Sequence, residues 1–365
     1  MKKLMIAAAG AGKTTYLVNQ ASEVCDGKVL ITTFTIENSV EIKKKLTNKY
    51  GFIPSNIIVK TWFDFLLNDC FRPYQCVLST QLQNLNIGFM YIEGGQSALR
   101  IPEKNFAHYF TKDWKIYSDK VSKFIIKTHE KNNDLIFNRL GKIYKHIYID
   151  EVQDLSGYDF DVITNLFYSI KNVILVGDPR QCTYSTNSLS KYKPYNKGGV
   201  KEFYFKFWRE LCELDEMTLC HSHRNEKVIC DLSSLLYQSF SPTLACECCI
   251  DQDDHLGVYI IPQSKTEIYL KQFSAIQLRL TSRTKVDLNF PCMNMGVAKG
   301  LTLERVLLYP TSDMKKWLLD HNHPLAEATR AKFYVGLTRP KLSLGIIIED
   351  KSIAQFSPKF PVYQE

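Results

Sequence analysis

Apolar residues in this chain gather into short runs, and helix-like polar stretches separate them. Leu4–Ala8 reads as a strand, and the run that starts at Leu4 ends at Ala9. Thr14–Gln20 begins a helix. Farther along, Glu41–Leu46 (EIKKKL) fits the solvated side of an amphipathic helix. Ile147–Ile149, with Tyr148 between, reads as a short buried strand, and 172-NVILVG-177 as another. Strands alternating with helices predict an α/β fold, arranged as two doubly wound parallel-sheet domains. No stretch reaches the roughly 18 uninterrupted apolar residues of a membrane span. No internal repeat or low-complexity tract is visible.

The opening MKKLMIAAAGAGKTTYLVNQ poses a choice between a secretory leader and a phosphate-binding loop. A leader needs an apolar core of about 7–15 residues followed by a cleavage site. Here the short run meets Gly10-Ala11-Gly12-Lys13-Thr14-Thr15, the tail of a Walker A motif with Ala7 in the place of its first glycine. Small residues let backbone N–H groups curl around phosphate oxygens. Lys13 offsets the β- and γ-phosphate charge, and the Thr14 hydroxyl is placed for Mg²⁺. The expectation is a cytoplasmic nucleotide-binding protein without a leader.

Such a loop needs an acidic partner. Asp150-Glu151 stands at the end of the strand in 145-KHIYIDEVQDLSG-157, where open α/β sheets place their ligands. Asp150 is expected to hold Mg²⁺ through water and Glu151 to polarise the attacking water. A helix N-cap acid pair is the alternative, disfavoured by the apolar strand before it. Gln181, past the second strand in GDPRQ, is placed to sense a γ-phosphate.

Bulk properties refine this only slightly. The 365 residues suggest two or three domains. Hydrophobic residues at 45% and charged residues at 23% exclude a disordered chain. The net charge of +8 favours a polyanionic partner, nucleic acid first. Eleven cysteines without a disulfide-like framework fit reduced thiols. Zinc at Cys246, Cys248 and Cys249 (CECC), completed by Cys220, His221, His223 or Cys230, is the other reading, but the spacing is unlike a usual finger.

The Walker A, DEVQD and GDPRQ elements together resemble the UvrD/Rep group of superfamily-1 helicases. The resemblance continues along the chain and carries the following implications. In 32-TTFTIENSVEIKKKL-46 (segment Ia), Phe34 would stack a base and Thr35 meet a phosphate; in 59-VKTWFDFLL-67 (segment Ib), Thr61 would contact the backbone. Within 219-LCHSHRNEKVI-229 (motif IV), Arg224 would reach the γ-phosphate and His223 take the adenine-stacking position. Lys299, Gly300 and Thr302 of 295-MGVAKGLTLERVLLYP-310 (motif V) would lie beside nucleotide and strand. Arg339 of 333-FYVGLTRPK-341 (motif VI) would be an arginine finger. Phe34 can equally be core, and Arg224 and Arg339 surface salt-bridge partners.

The implied architecture is RecA-like twice. Domain 1A would cover residues 1–210, with a helical 1B insertion at about 70–143, and domain 2A residues 211–365, with nucleotide between them. About 65 residues separate motifs IV and V, too few for the family's 2B subdomain. The family's upstream adenine-reading glutamine has no counterpart, which leaves ATP against other NTPs open. Motif V reads KGLT where the family has KGLE, and a ribose-contacting carboxylate is missing. After Gln181, residues 183–208 interleave lysines and tyrosines without an acid until Glu202, which suits single-stranded nucleic acid or a merely solvated loop.

The resemblance implies an ATP- and Mg²⁺-dependent DNA helicase or translocase, moving 3′ to 5′ on single-stranded DNA, with RNA left open and no membrane partner. A second expectation is a nucleic-acid-stimulated NTPase switch serving a nuclease or other protein partner, as in bacterial antiphage systems. A small-molecule kinase would leave motifs IV to VI without purpose.

Overall fold

The protein is described here by a computed structural model covering residues 1–92, 95–132, 134–183, 186, 191–247 and 253–364. Two compact units emerge, one of Met1–Ile6 with Lys13–Asp215, the other of Ala7–Gly12 with Glu216–Glu365.

The first unit is built on β1 (Lys2–Ile6), α1 (Lys13–Ser22), β2 (Lys28–Thr33), α2 (Ile36–Tyr50), β3 (Ile57–Thr61) and α3 (Trp62–Phe65). After a run of turns come β4 (Gly88–Met90), β5 (Lys115–Tyr117), α4 (Val121–Lys131), α5 (Leu135–Ile143), β6 (Tyr144–Ile149), α6 (Tyr158–Ser169), β7 (Asn172–Gly177), α7 (Val200–Phe203) and β8 (Glu213–Asp215). Six strands form one parallel sheet in the order β3-β2-β6-β7-β1-β8. Every connection between parallel strands must cross a sheet face, so the central strands are buried on both sides. Leu4, Ile147, Ile174 and Leu175 are fully buried accordingly. The sheet is the doubly wound α/β arrangement expected.

Between α3 and β6 the longer α-helices of the inserted block, α4 and α5, lie in its later part. Its earlier part begins with a π-helical turn at Leu66–Phe71 and continues with short 3-10 turns and the two-stranded ladder β4–β5. It carries its own aromatic core, with Phe71 and Phe124 ring centres 5.0 Å apart and Phe110 5.6 Å from Phe124.

One buried carboxylate ties four segments of this unit together. Asp159, 1% exposed on α6, accepts from Trp62 Nε1 at 3.0 Å, from the Ser156 N–H at 3.3 Å and from the Ser122 and Thr186 hydroxyls. Burial pushes its pKa up, and the donors oppose that shift. Asp159→Ala strands these donors in a dry interior, each at a cost of about 1–3 kcal/mol. The expected outcome is a loss of about 3–5 kcal/mol in denaturant unfolding, with Asp159→Asn retaining part of it. Wild-type stability in Asp159→Ala would contradict this role.

The second unit contains β9 (His221–Ser222), α8 (Lys227–Ser234), β10 (Leu244–Ala245), β11 (Gly257–Pro262), α9 (Thr266–Phe273), β12 (Ile276–Arg279) and β13 (Cys292–Asn294). It continues with β14 (Leu303–Tyr309), α10 (Ser312–Leu319), α11 (Glu327–Leu337), β15 (Pro340–Ile348) and α12 (Ile353–Phe356). Five strands form a second parallel sheet, β11-β15-β14-β12-β13. Its core gathers Ile260, Leu278, Leu308, Phe333, Tyr334 and Ile346.

At one side of this sheet, His255 is sandwiched between Tyr259, 4.0 Å away, and Phe273, 4.1 Å away, both nearly parallel to it. Its Nε2 lies 3.1 Å from the Tyr269 hydroxyl. Tyr363 meets the ring edge-on, and Asp253 pairs with Arg305 beside it. Burial first, and then the Arg305 charge, push His255 down to about 4. The neutral ring is therefore the folded form, while the unfolded chain takes a proton below about 6.5. Its contribution is complete above that pH and is lost as pH falls toward 4. Thermal midpoints from pH 7 down to about 4.5 should fall more steeply for wild type than for His255→Phe, which keeps the stack without the titration. Parallel profiles would refute the assignment.

Eight cysteines are free among the described residues. Cys246 is disulfide-bonded, so the reduced-thiol expectation fails at that position. Cys248 and Cys249 lie outside the described residues. Among the described residues no group of three or more His, Cys, Asp or Glu side chains is arranged to hold a metal. No described helix is long and apolar enough to cross a membrane.

Candidate phosphate and nucleic-acid site

The loop after β1 turns on two glycines in the left-handed region, Gly10 (φ 75°) and Gly12 (φ 73°). A side chain is strained in that region. Within the loop the Ala8 N–H donates to Leu219 O at 2.7 Å and the Ala11 N–H to Ala8 O at 3.3 Å. Lys13 and Thr14 open α1, so both stand at a helix N-terminus. The Thr14 hydroxyl donates to Asp150 Oδ2 at 2.9 Å. Asp150 is 2% exposed, and its Oδ1 accepts the Glu151 N–H at 2.9 Å. Burial, then the neighbouring Glu151, raise Asp150 to about 7, while Lys13 and the Thr14 bond oppose the rise. A hydroxyl and a carboxylate oxygen this close form a hard-oxygen pair suited to Mg²⁺, with Lys13 near enough to act on Asp150 electrostatically. Thr15 is exposed, and its hydroxyl accepts from Lys45 Nζ at 3.1 Å.

Glu151 is one of the non-glycine residues with positive φ (58°), at the entry to a short turn over Val152–Asp154. A non-glycine residue pays about 1–2 kcal/mol for that conformation, which persists where the surroundings enforce it. Gln153 enforces it from one side. Its Nε2 donates to Glu151 Oε2, and its Oε1 accepts the Asp178 N–H at 3.1 Å. Asp178 in turn accepts from Gln181 Nε2 at 2.8 Å and from Arg180 Nε at 2.7 Å. A continuous hydrogen-bonded chain thus joins Glu151 to Gln181 through Gln153 and Asp178. Gln153 and Asp178 were not singled out in the sequence; polar residues beside two strand ends, each followed by buried turns, were the available signal.

In the second unit the loop backbone is held by the segment around β9. Ala8 N–H donates to Leu219 O at 2.7 Å, and His223 N–H donates to Gly10 O at 3.0 Å. His223 itself is exposed. Arg224 is positioned by three contacts: its N–H to Ser222 Oγ, its Nε to Thr302 Oγ1 at 2.9 Å and its Nη1 to Thr338 O at 3.3 Å. Thr302 therefore braces Arg224 here. Asn225, missed in the sequence, is 5% exposed and donates to the carbonyls of Thr338 and Pro340, at 3.2 and 2.7 Å. Gly300 has φ 86° and is exposed, Lys299 is half-buried, and Arg339 is 1% exposed with Nη1 on Leu301 O at 3.1 Å. A buried Arg339 does not fit the surface salt-bridge alternative. A cleft of about 460 Å³ lies beside His223, Arg224 and Lys341.

Of the expected strand contacts, Thr35 and Thr61 are N-caps, accepting from the Asn38 and Asp64 N–H groups, each at 3.1 Å. Phe34 differs from the stacking expectation. It is 9% exposed and packs on Phe63 with ring centres 6.0 Å apart, so it is core, because the end of β2 turns its ring inward. Of residues 183–208, positions 184–185 and 187–190 lie outside the described residues.

Residues 78–188 match the UvrD/REP helicase N-terminal domain family, a stretch that includes Asp150, Glu151, Gln153, Asp178 and Gln181. A probable DNA helicase II homolog of Mycoplasma capricolum subsp. capricolum is 24% identical over 139 residues, covering 36% of this chain and 18% of the relative. Two structures of Arterivirus nonstructural protein 10 (helicase), the second in complex with DNA, align over 98% of the chain. Their TM-scores are 0.49 and 0.48, at 15% and 16% identity. The chain spans under a fifth of the curated relative and 62% and 63% of those two structures.

Proposed function

We propose that the chain is an NTP-driven motor on single-stranded nucleic acid, a reading supported by its similarity to the UvrD/REP helicase N-terminal domain family. The observation that carries this reading is the Thr14–Asp150 pair at 2.9 Å, beside a phosphate loop and next to Glu151. Bound Mg²⁺–NTP, with ATP as the expected nucleotide, would supply the electrophilic phosphorus and offset its charge. Lys13 and the loop amides of Gly10 and Gly12 would bind the phosphate oxygens, and Thr14 and Asp150 would offer oxygens to the cation. Glu151 takes the proton of the attacking water. Gln153 holds that carboxylate and transmits its state through Asp178 to Gln181. Arg224, held by Thr302 and Thr338, would carry charge to the phosphates, and Arg339 supports the loop that includes Leu301.

Thr35 and Thr61, at the starts of α2 and α3, present helix N-termini to a backbone phosphate. The +8 net charge supports a polyanionic track. DNA as track and 3′ to 5′ movement are the finer part of the proposal.

A second reading is a nucleic-acid-sensing NTPase switch serving a nuclease or other partner, as in antiphage defence. One observation favours it. About half of the described residues between β10 and motif V belong to the second sheet and its helix, as β11, α9, β12 and β13, which leaves little chain for a regulatory subdomain. Unwinding of a 3′-tailed DNA duplex by the purified chain separates the two. NTP-dependent strand release supports the motor; hydrolysis stimulated by single strands without strand release favours the switch.

A further inference from the structure

Asn225 stands between β9 and α8, and the fold uses its whole side-chain amide. It is 5% exposed. Its Nδ2 donates to Thr338 O at 3.2 Å and to Pro340 O at 2.7 Å, and its Oδ1 accepts the Ser222 hydroxyl at 3.2 Å. The two carbonyls flank Arg339, at the junction where α11 passes into β15. One bond would tie this turn down. Two bonds from one amide, to either side of Arg339, fix its orientation as well.

The same turn governs Arg224, the chain neighbour of Asn225. Thr338 O, already an acceptor for Asn225, also accepts Arg224 Nη1 at 3.3 Å. Thr302 Oγ1 accepts Arg224 Nε at 2.9 Å, and its segment is stitched to the turn. The Leu303 N–H donates to Arg339 O at 3.1 Å, and Arg339 Nη1 donates to Leu301 O at 3.1 Å. The contacts close a circuit. It runs from Arg224 to Asn225, across to the turn at Thr338–Pro340, on to Leu301–Leu303, and from Thr302 back to Arg224. The backbone where the circuit starts is held too, since the Arg224 and Asn225 N–H groups donate to Ser222 Oγ at 3.3 and 3.1 Å. Ser222 Oγ stands 2.6 Å from where a Cβ on Gly10 would be, so the circuit abuts the phosphate loop.

An arginine side chain is long and rich in rotamers, and its planar fork works only where its acceptors hold it in one place. Both acceptors here keep their spacing through the turn that Asn225 grips. Without the amide, two buried carbonyls lose a donor and the turn loses its tie to the Arg224 segment.

We infer that Asn225 is a positioning residue for the phosphate chemistry: it sets the place of the Arg224 guanidinium beside the phosphate loop and does not itself touch nucleotide. This rests on the motor reading above, in which Arg224 carries charge to the phosphates. Misplacing a reacting geometry by 1 Å can cost about a hundredfold in rate, so the effect falls on the chemical step more than on nucleotide binding.

The test compares wild type, Asn225→Ala, Arg224→Ala and the double variant in single-turnover hydrolysis of Mg²⁺–ATP, with single-stranded DNA or RNA present. The affinity for a non-hydrolysable ATP analogue is measured alongside. Asn225→Ala should slow the chemical step about 10–100-fold and change the affinity less than about threefold. Added to Arg224→Ala, it should slow the step no further, because Asn225 acts through that guanidinium. Thermal midpoints establish that each variant is folded at the assay temperature. Ser222→Ala removes the hydroxyl that orients Asn225 and should give a milder loss of the same kind. It carries the test if Asn225→Ala does not fold, and a wild-type rate in it then overturns the role. An unchanged chemical step in Asn225→Ala overturns the assignment and leaves the motor reading standing. A loss that multiplies in full with that of Arg224→Ala, or one confined to affinity, overturns it as well. Wild type that hydrolyses ATP with neither polymer overturns the motor reading and the positioning role together.

Discussion

Glu151→Gln should lower the NTP hydrolysis rate about 10²–10⁴-fold, with little change in nucleotide affinity. The substitution keeps the side-chain shape and its contact with Gln153 but removes the proton acceptor. Three features favour Glu151 as the proposed acceptor. It follows a strand end beside Asp150, the carboxylate already engaged with Thr14. Its backbone is held left-handed, at φ 58°. Its carboxylate is gripped by Gln153, which is 1% exposed and anchored on the Asp178 N–H. A binding measurement with a non-hydrolysable NTP beside single-turnover hydrolysis separates the two effects. Loss of binding with an unchanged chemical step would assign Glu151 to binding.

Gly10→Ala should remove nucleotide binding by at least tenfold and lower the thermal midpoint. Two costs add there. A residue with a Cβ at φ 75° is strained by about 1–2 kcal/mol. The new methyl would also stand 2.6 Å from Ser222 Oγ and 2.8 Å from Arg224 Cβ, so the loop or the Arg224 segment must move. Gly51→Ala isolates the first cost, since Gly51 has φ 79° with nothing near its missing Cβ. That control should lose about 1 kcal/mol of stability and keep its nucleotide affinity. Equal behaviour of the two variants would mean that the close approach at Gly10 does not matter to the site.

Much of the fold was legible from apolar runs. The segment 172-NVILVG-177 is β7 residue for residue, because every position is apolar, small or at a strand start. β1 runs over Lys2–Ile6 rather than Leu4–Ala8. Its first residues are lysines, with Lys3 paired to Asp215 at 3.2 Å, and Ala7 and Ala8 leave the strand for the loop. An apolar count sees neither fact. α1 extends the expected helix to Lys13–Ser22, since its N-terminus belongs to the same loop.

The grouping of Lys13, Thr14, Asp150 and Glu151 was legible from the two strand-end segments that carry them, and their proximity is seen in the fold. The site was not legible where the role is set by distant neighbours. Gln153, Asp159 and Asn225 are polar residues with partners elsewhere in the fold, Asp178, Trp62 and Thr338 among them, and no local period marks them. Phe34 shows the converse, since a ring that stacks a base and a ring that fills a core look the same in one dimension. The early part of the insertion, with its turns and three-residue strands, has no period for the sequence to display.

The most direct test of the central claim is NTP hydrolysis by the purified chain, alone and with single-stranded DNA or RNA, beside Glu151→Gln. The account predicts hydrolysis that rises strongly with one polymer and disappears in the variant. Hydrolysis indifferent to both polymers would contradict an autonomous motor.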